Sequence, residues 1–307
     1  MNADQARSVG SAVLLFVAFS STTLAAAEPA TSPESNSTTP AGSYPPHTIV
    51  NSQLRVVTTK HSEQAYQLHI GLPWSYTRNT EKKYPVVYVT DGYWDFEKIV
   101  AIREGLINDK VAPEFIVVGL GYTGKKLNHS KLRLHDLSPV RIPNQEESGY
   151  AAEFLKTIEE QIIPLVEHDY RADPSYRVLA GASLGGLFTL YAMYTKPGLF
   201  DAYIAATPAV VLNDDWILGY EDAFTKSGRQ LKGRLYVTVG GNEGANFVSG
   251  VLRYNYRVAS RMYPDLAYEF RIIDDERHSS MQMESYVRGL RFAFVPLAPE
   301  TGPSLYP

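Results

Sequence analysis

The chain has 307 residues, of which 44% are hydrophobic and 20% charged, the composition of a soluble globular protein with a sizeable core. A formal net charge of −4 and the lack of basic clusters argue against nucleic acid or an anionic membrane as a partner. The sequence has no cysteine, so disulfides and cysteine nucleophiles are excluded; its seven histidines are scattered, and no metal requirement is expected.

The N-terminus has the order of a secretory signal peptide. Arg7 precedes an apolar run at residues 12–19, and small residues follow up to Ala27. The apolar run is too short to span a bilayer comfortably, which argues against a membrane anchor. We therefore expect residues 1–27 to be removed and the mature protein to be periplasmic or secreted.

Composition divides the remainder of the chain into three parts. Residues 28–46 are rich in Pro, Ser, Thr and Ala and predict a disordered leader. Residues 297–307 predict a flexible tail. One folded domain is expected at 47–296, with no internal repeat.

Eight segments have the patterns of β-strands. Residues 55–59 and 66–70 alternate apolar and polar side chains, as half-buried antiparallel strands do. Continuous apolar runs, typical of strands covered on both faces, lie at 84–90, 115–120, 177–180, 203–206 and 235–239. An eighth strand is predicted at 268–273.

Apolar residues at helical spacing lie between these strands. Phe154, Ile158, Ile162 and Leu165 share one face of a helix that Pro164 should kink or break. Met283, Val287, Leu290 and Phe294 form a second stripe. Alternating strands and helices predict an α/β fold with a mostly parallel sheet, antiparallel N-terminal strands and helices on both faces. Ligands of such sheets bind at the carboxyl ends of the strands.

Residues 181–186, Gly-Ala-Ser-Leu-Gly-Gly, contain the pattern G-x-S-x-G. The pattern follows the strand at 177–180 and precedes an apolar helical segment, which is the strand–turn–helix setting of the nucleophile elbow in α/β hydrolases. A chance G-x-S-x-G in an ordinary turn is the alternative, and this setting argues against it. Ser183 is therefore the predicted nucleophile.

A serine hydroxyl needs a base, and the base needs a carboxylate to orient it. In this architecture the acid and then the histidine follow the nucleophile, and His278 is the only histidine after Ser183. Glu243, just after the strand at 235–239, is the preferred acid. The alternatives are Asp274, Asp275, Asp214, Asp215 and Asp222, or no acid at all.

The oxyanion hole requires two backbone N–H groups. One should come from Leu184, directly after the nucleophile. The loop that follows the strand at 84–90 should supply the other, and Tyr93, after Gly92, is the predicted donor.

Residues 119–126, Gly-Leu-Gly-Tyr-Thr-Gly-Lys-Lys, also match G-x-G-x-x-G and come close to a P-loop. Lys126 stands where a P-loop has Ser or Thr. Residues 127–136 contain no obvious helix start, and a phosphate site needs a helix N-terminus. Nucleotide binding is therefore not expected.

Together these segments resemble the putative-esterase family, which includes esterase D and the siderophore esterases of the ferric-enterobactin type. The most specific stretches are 84–92 (YPVVYVTDG), 133–139 (RLHDLSP), 163–170 (IPLVEHDY) and 181–186. The resemblance implies an α/β-hydrolase fold, no cofactor, and cleavage of a small-molecule ester through an acyl-enzyme. It places Ser183 and His278 as nucleophile and base and Glu243 in the region of the acid.

The resemblance also bears on substrate contacts. Arg133 matches the first arginine of a family motif from which this chain departs at His135, Leu137 and Ser138. Asp136 of the same motif either contacts substrate or caps a turn. Arg133, Trp94 and Trp216 are the predicted substrate-binding residues, and aromatic side chains suit bulky aromatic esters such as siderophore lactones or feruloyl sugars.

Two alternative functions stay open at this point. One is an acyltransferase of the same fold, and the other is a hydrolase fold used only for binding.

Overall fold

The computed structural model describes residues 47–59 and 64–299. The predicted signal peptide at 1–27, the leader at 28–46 and the tail from residue 300 onward lie outside the described residues. No helix in the described part of the chain has both the length and the apolar character needed to cross a membrane.

Eight strands form one mixed sheet in the order β1-β2-β4-β3-β5-β6-β7-β8. Their bounds are Ser52–Val57 (β1), Tyr66–Gly71 (β2), Tyr84–Val89 (β3), Ile116–Tyr122 (β4), Ala172–Ala182 (β5), Ala202–Ala206 (β6), Lys232–Gly240 (β7) and Asp265–Ile273 (β8). β1 and β2 pair antiparallel, β2 pairs antiparallel with β4, and all other pairs are parallel. This confirms the predicted α/β-hydrolase type of sheet with antiparallel N-terminal strands.

Helices cover both faces of this sheet. Their bounds are Gly92–Asn108 (α1), His129–Leu137 (α2), Ala151–Thr157 (α3), Ile163–Asp169 (α4), Leu184–Thr195 (α5), Trp216–Lys226 (α6), Ala245–Arg261 (α7) and Gln282–Ala293 (α8). One core lies between the sheet and α1 with α8, and the other between the sheet and α3 to α7. The interior strands read as unbroken apolar runs because both of their faces are buried.

The predicted break at Pro164 takes the form of a π-helical turn. α3 ends at Thr157, residues Ile158–Ile162 form the π turn, and α4 begins with Pro164 in its first turn. Proline has no N–H to donate and disturbs the helix at this point, and the irregularity takes the form of the π turn directly before it.

Three local predictions need correction. β5 begins at Ala172 rather than 177, with a bulge in its pairing to β3. Met283 is 40% exposed, because α8 packs through Tyr286, Leu290 and Ala293. A helix does begin within 127–136: the Asn128 side chain accepts a hydrogen bond from the backbone N–H of Lys131 at 3.1 Å and caps α2.

Gly119, the first glycine of the G-x-G-x-x-G match, is required by packing. A Cβ on Gly119 would lie 2.8 Å from the Cβ of Phe96 and 3.0 Å from the Cα of Gly92, both on α1. β4 and α1 approach each other closely here, so the glycine is needed for helix–sheet contact.

Candidate active site

Ser183 occupies a sharp turn between β5 and α5. Its backbone has φ 57° and ψ −117°, a conformation that non-glycine residues adopt rarely. Its N–H donates to Ala206 O at 3.0 Å, and its own carbonyl accepts from the N–H groups of Leu187 and Ala209. The strained turn is thus held by the end of β6 and by α5, as in a nucleophile elbow.

Two glycines of the G-x-S-x-G pattern are required by contact. A Cβ on Gly181 would lie 2.4 Å from Gly185 O, and a Cβ on Gly185 would lie 2.2 Å from Thr90 Oγ1. Both distances are far below van der Waals contact. The spacing of the motif therefore reflects how closely β3, β5 and α5 approach one another.

His278 and Glu243 form a direct pair. His278 Nδ1 lies 2.6 Å from Glu243 Oε2, and the Glu243 side chain is only 2% exposed. The alternative acids do not pair with His278: Asp215 pairs with Arg253, Asp222 pairs with Arg261, and Asp214, Asp274 and Asp275 are exposed. Sequence reasoning preferred Glu243 over these aspartates, and the structure brings Glu243 to the imidazole.

The other carboxylate oxygen of Glu243 is also bound. Oε1 accepts from the Thr207 hydroxyl at 2.6 Å and from the Gly240 N–H at 2.8 Å. Burial alone would raise the pKa of Glu243, but the hydrogen bonds from His278, Thr207 and Gly240 outweigh it and hold this pKa below the ordinary value. Glu243 is therefore ionised at neutral pH and is a suitable partner for an imidazolium.

Backbone hydrogen bonds tie the two loops that carry this pair. Gly241 N donates to Ile273 O at 2.8 Å, and Asn242 N donates to Glu276 O at 2.9 Å. These loops follow β7 and β8, which are adjacent and parallel, so the two side chains meet at the carboxyl edge of the sheet. The ring of Phe247 contacts the His278 ring edge-to-face, with centroids 4.9 Å apart.

Ser183 and His278 border the same cavity of about 450 Å³. Its other lining residues include Asp91, Trp94, Asp95, Lys98, Arg133 and Gln282. Within the described residues Ser183 Oγ makes no hydrogen bond. The hydrogen bond between a nucleophile and its base is commonly long before substrate binds and shortens in the complex. Direct proton transfer from Ser183 to His278 therefore stays a prediction.

The predicted oxyanion donors both lie in the first turn of a helix. Tyr93 is the second residue of α1, and Leu184 is the first residue of α5. Amides in a first turn have no acceptor within the helix, so both N–H groups are available to an external oxygen. β3 and β5 are adjacent and parallel, which places the two helix starts side by side.

Two of the three predicted substrate contacts border the cavity. Trp94 is 44% exposed, and the Arg133 guanidinium lies 5.5 Å from its ring centroid. Trp216 does not border this cavity. Its indole stacks on Tyr220 with centroids 4.7 Å apart and packs against the core, because α6 turns that face inward.

The structure adds a polar network that sequence reasoning missed. Lys98 Nζ donates to Asp95 Oδ1 and to Gln282 Oε1, and Tyr286 donates to Asp95 Oδ2. The network joins α1 to α8 along one wall of the cavity. The alternation of charged and apolar residues in α1 does not reveal Gln282 and Tyr286, because these partners are 184 and 191 residues away in the chain.

A strained serine in an elbow, with a histidine–carboxylate pair at the same strand edge, defines an α/β hydrolase. The putative esterase model matches residues 59–243, more than half of the chain, and the chain belongs to this family. The matched region includes Ser183 and ends at Glu243. The protein is accordingly an esterase.

Two similar proteins are named as esterases, and one solved structure shares the fold. Ferri-bacillibactin esterase BesA of Bacillus subtilis is 29% identical over 273 residues, covering 82% of this chain and 92% of the relative. The siderophore enterobactin esterase of Emericella nidulans is 31% identical over 170 residues, covering 50% of this chain and 56% of the relative. The crystal structure of the BES protein from Bacillus cereus superposes with a TM-score of 0.74 at 25% identity, covering 81% of this chain and 97% of the other.

Proposed function

We propose that the protein hydrolyses siderophore esters, with Ser183, His278 and Glu243 as its catalytic triad, and that it does so after export. The observation that carries the triad is the 2.6 Å contact between His278 Nδ1 and Glu243 on a cavity that also contains Ser183. The substrate class is supported by the named activities of the relatives, ferri-bacillibactin and enterobactin esterases.

The reaction proceeds in two acyl-transfer steps. The second nitrogen of His278 takes the proton of Ser183, and the serine oxygen attacks the ester carbonyl. The N–H groups of Leu184 and Tyr93 bind the oxyanion, and His278 then protonates the leaving alcohol. Water, activated by the same imidazole, attacks the acyl-enzyme and releases the acid, while the carboxylate of Glu243 stabilises the imidazolium throughout.

The surroundings of the cavity suit an anionic aromatic substrate. Arg133 and Lys98 border it but are paired with Asp91 and Asp95, and the exposed cations in the segment next to Arg133 are Lys125, Lys126 and Lys131. Trp94 offers a partly exposed aromatic face at the same cavity. Aromatic rings pack against such a face, and the cations favour a substrate with negative charge.

A fluorophosphonate probe tests the nucleophile. Wild-type protein should be labelled and Ser183→Ala should not. Ser279→Ala is the matched control, because Ser279 borders the same cavity outside the elbow, and this variant should be labelled like wild type. Labelling that survives Ser183→Ala would refute the proposal.

Product analysis tests the substrate class. Siderophore lactones, with and without iron, should be hydrolysed with a higher kcat/KM than simple aryl acetates. Transfer of the acyl group to added alcohols in preference to water would instead identify an acyltransferase.

Cell fractionation with N-terminal sequencing tests export: a mature chain that begins at Glu28 supports it, and an uncleaved cytoplasmic chain contradicts it.

A further inference from the structure

The backbone of Thr207, the residue after β6, is unusual. Its φ is +40°, in the left-handed region that β-branched residues occupy very rarely. Thr207 is completely buried, and its N–H donates to Thr238 O on β7 at 2.9 Å. A strained β-branched residue persists only where its surroundings hold it, and such positions cluster at functional sites.

The Thr207 hydroxyl faces the histidine–carboxylate pair. Oγ1 lies 2.6 Å from Glu243 Oε1 and 3.5 Å from His278 Nδ1. A threonine hydroxyl has a single proton. Because a carboxylate can only accept, that proton is donated to Glu243.

The orientation of the Glu243 carboxylate must be fixed by its hydrogen-bond partners. The terminal torsion of a glutamate is broad, so the side chain by itself does not decide which oxygen faces a partner. The Thr207 hydroxyl and the Gly240 N–H both bind Oε1, which leaves Oε2 for His278. Within the described residues these three groups are the hydrogen-bond donors to the Glu243 side chain.

We propose that Thr207 is a positioning residue, which holds the Glu243 carboxylate so that Oε2 accepts from His278 Nδ1. This inference rests on the proposed function of the triad. It gives the strained threonine a chemical role: the positive φ turns the hydroxyl toward Oε1, where glycine or asparagine would relieve the backbone but offer no hydroxyl.

Other groups near His278 do not substitute for this contact. Phe247 packs against the ring, and the charged residues that border the cavity are Asp91, Asp95, Lys98 and Arg133. None of these side chains contacts Glu243 Oε1. Deleting the Thr207 hydroxyl therefore leaves Oε1 with the Gly240 N–H alone.

The test compares Thr207→Val with Thr207→Ser. Valine keeps the shape and the β-branching of threonine and removes only the hydroxyl, whereas serine keeps the hydroxyl. For the valine variant we expect kcat to fall about 10- to 100-fold, the range of a hydrogen bond to a charged group, with KM little changed. The serine variant should retain most of the wild-type kcat.

The pH profile separates positioning from a merely structural role. The acidic limb of kcat/KM reports protonation of the base in the free enzyme. In Thr207→Val a misdirected carboxylate stabilises the imidazolium less, so this limb should move to lower pH, toward that of Glu243→Gln. A purely structural loss would lower the amount of folded enzyme without moving the limb.

Thr238→Val is the matched control. Thr238 is also a fully buried threonine at the neighbouring strand, and its hydroxyl bonds to Ser285 Oγ at 2.8 Å rather than to the triad. It should lose stability without a shift of the acidic limb. If Thr207→Val does not fold, Thr207→Ala is measured instead, with the same expected loss of kcat and shift of the limb.

The outcomes distinguish the inference from the function on which it rests. Unchanged kcat and pH profile in the hydroxyl-free variant, in an enzyme that Glu243→Gln impairs, would overturn the role of Thr207 alone. A serine variant as impaired as the valine variant would do the same. A wild-type protein without Ser183-dependent activity would overturn both.

Discussion

Arg133 and Asp91 form a largely buried, bidentate ion pair between α2 and the loop that precedes α1. Arg133 donates through Nε to Asp91 Oδ1 and through Nη2 to Oδ2, the latter at 3.0 Å. The Asp91 side chain is 5% exposed, and Asp91 is the N-cap residue of α1. The pair thus fixes the turn that presents the Tyr93 N–H, in addition to placing a cation at the cavity.

Removing Arg133 should destabilise the fold in a pH-dependent way. Burial raises the pKa of Asp91, and Arg133 only partly offsets this effect. Arg133→Met leaves a buried carboxylate without its partner, so we expect a loss of about 3 kcal/mol in the free energy of unfolding at neutral pH. Because the folded-state pKa of Asp91 rises further, the variant is least impaired at low pH and loses stability as pH rises through that pKa.

Urea unfolding at pH 7 and pH 4 measures this effect. The double variant Asp91→Asn/Arg133→Met should be more stable at pH 7 than Arg133→Met alone, because the uncompensated charge is gone. Equal stability of the single and double variants would mean that the Asp91 carboxylate costs no stability when it lacks its partner.

Glu243→Gln should lower both activity and stability. We expect kcat to fall by about 10² to 10⁴, because the imidazole loses its orienting charge. The pKa of Glu243 is lowered in the folded state, so its carboxylate stabilises the fold fully above the unfolded pKa of about 4.3 and loses this effect as pH falls through the folded pKa. The difference in the free energy of unfolding between wild type and variant should therefore shrink below about pH 4.3. A difference that grows on acidification contradicts the lowered pKa.

Tyr93→Pro tests the backbone donor of the oxyanion hole. Proline is tolerated in the first turn of a helix but has no N–H, so kcat should fall by about 10² to 10³ while circular dichroism stays unchanged. Tyr93→Ala is the control, since it keeps the N–H and the exposed ring is not part of the hole. A similar loss in both variants would point to the side chain instead.

Gly185→Ala should disrupt the elbow. The new Cβ would lie 2.2 Å from Thr90 Oγ1, so the melting temperature and the fluorophosphonate labelling should both fall. Thr90→Ala in the same chain removes that oxygen and should restore part of the stability. Gly105→Ala, in open space on α1, should instead stabilise by about 0.5–1 kcal/mol through helix propensity.

Trp94→Ala should weaken binding of aromatic esters. Trp94 borders the cavity and Trp216 does not, so KM for aryl esters should rise in Trp94→Ala and stay near wild type in Trp216→Ala. Steady-state kinetics with aryl and alkyl esters of equal length measures the difference. An equal rise for both ester types would argue against an aromatic contact.

Much of the fold could be predicted from periodicity alone. The interior strands are continuous apolar runs because both of their faces are covered, and each was predicted within a few residues except for the start of β5. The start of α2, which Asn128 caps, and the face of α8 that packs against the core were not predicted correctly. Asn128 looked like an ordinary loop residue, and the packing of Tyr286 against Asp95 depends on a helix from the other end of the chain.

The site divides in the same way. G-x-S-x-G predicted the elbow because the whole motif lies within one strand, turn and helix, and the position of His278 followed from chain order. Which carboxylate faces His278, the hydroxyl of Thr207 and the pairing of Arg133 with Asp91 were decided by the tertiary structure. Residues 35 to 71 positions apart meet there only because parallel strands end at a common edge, and no local pattern records which side chains that edge brings together.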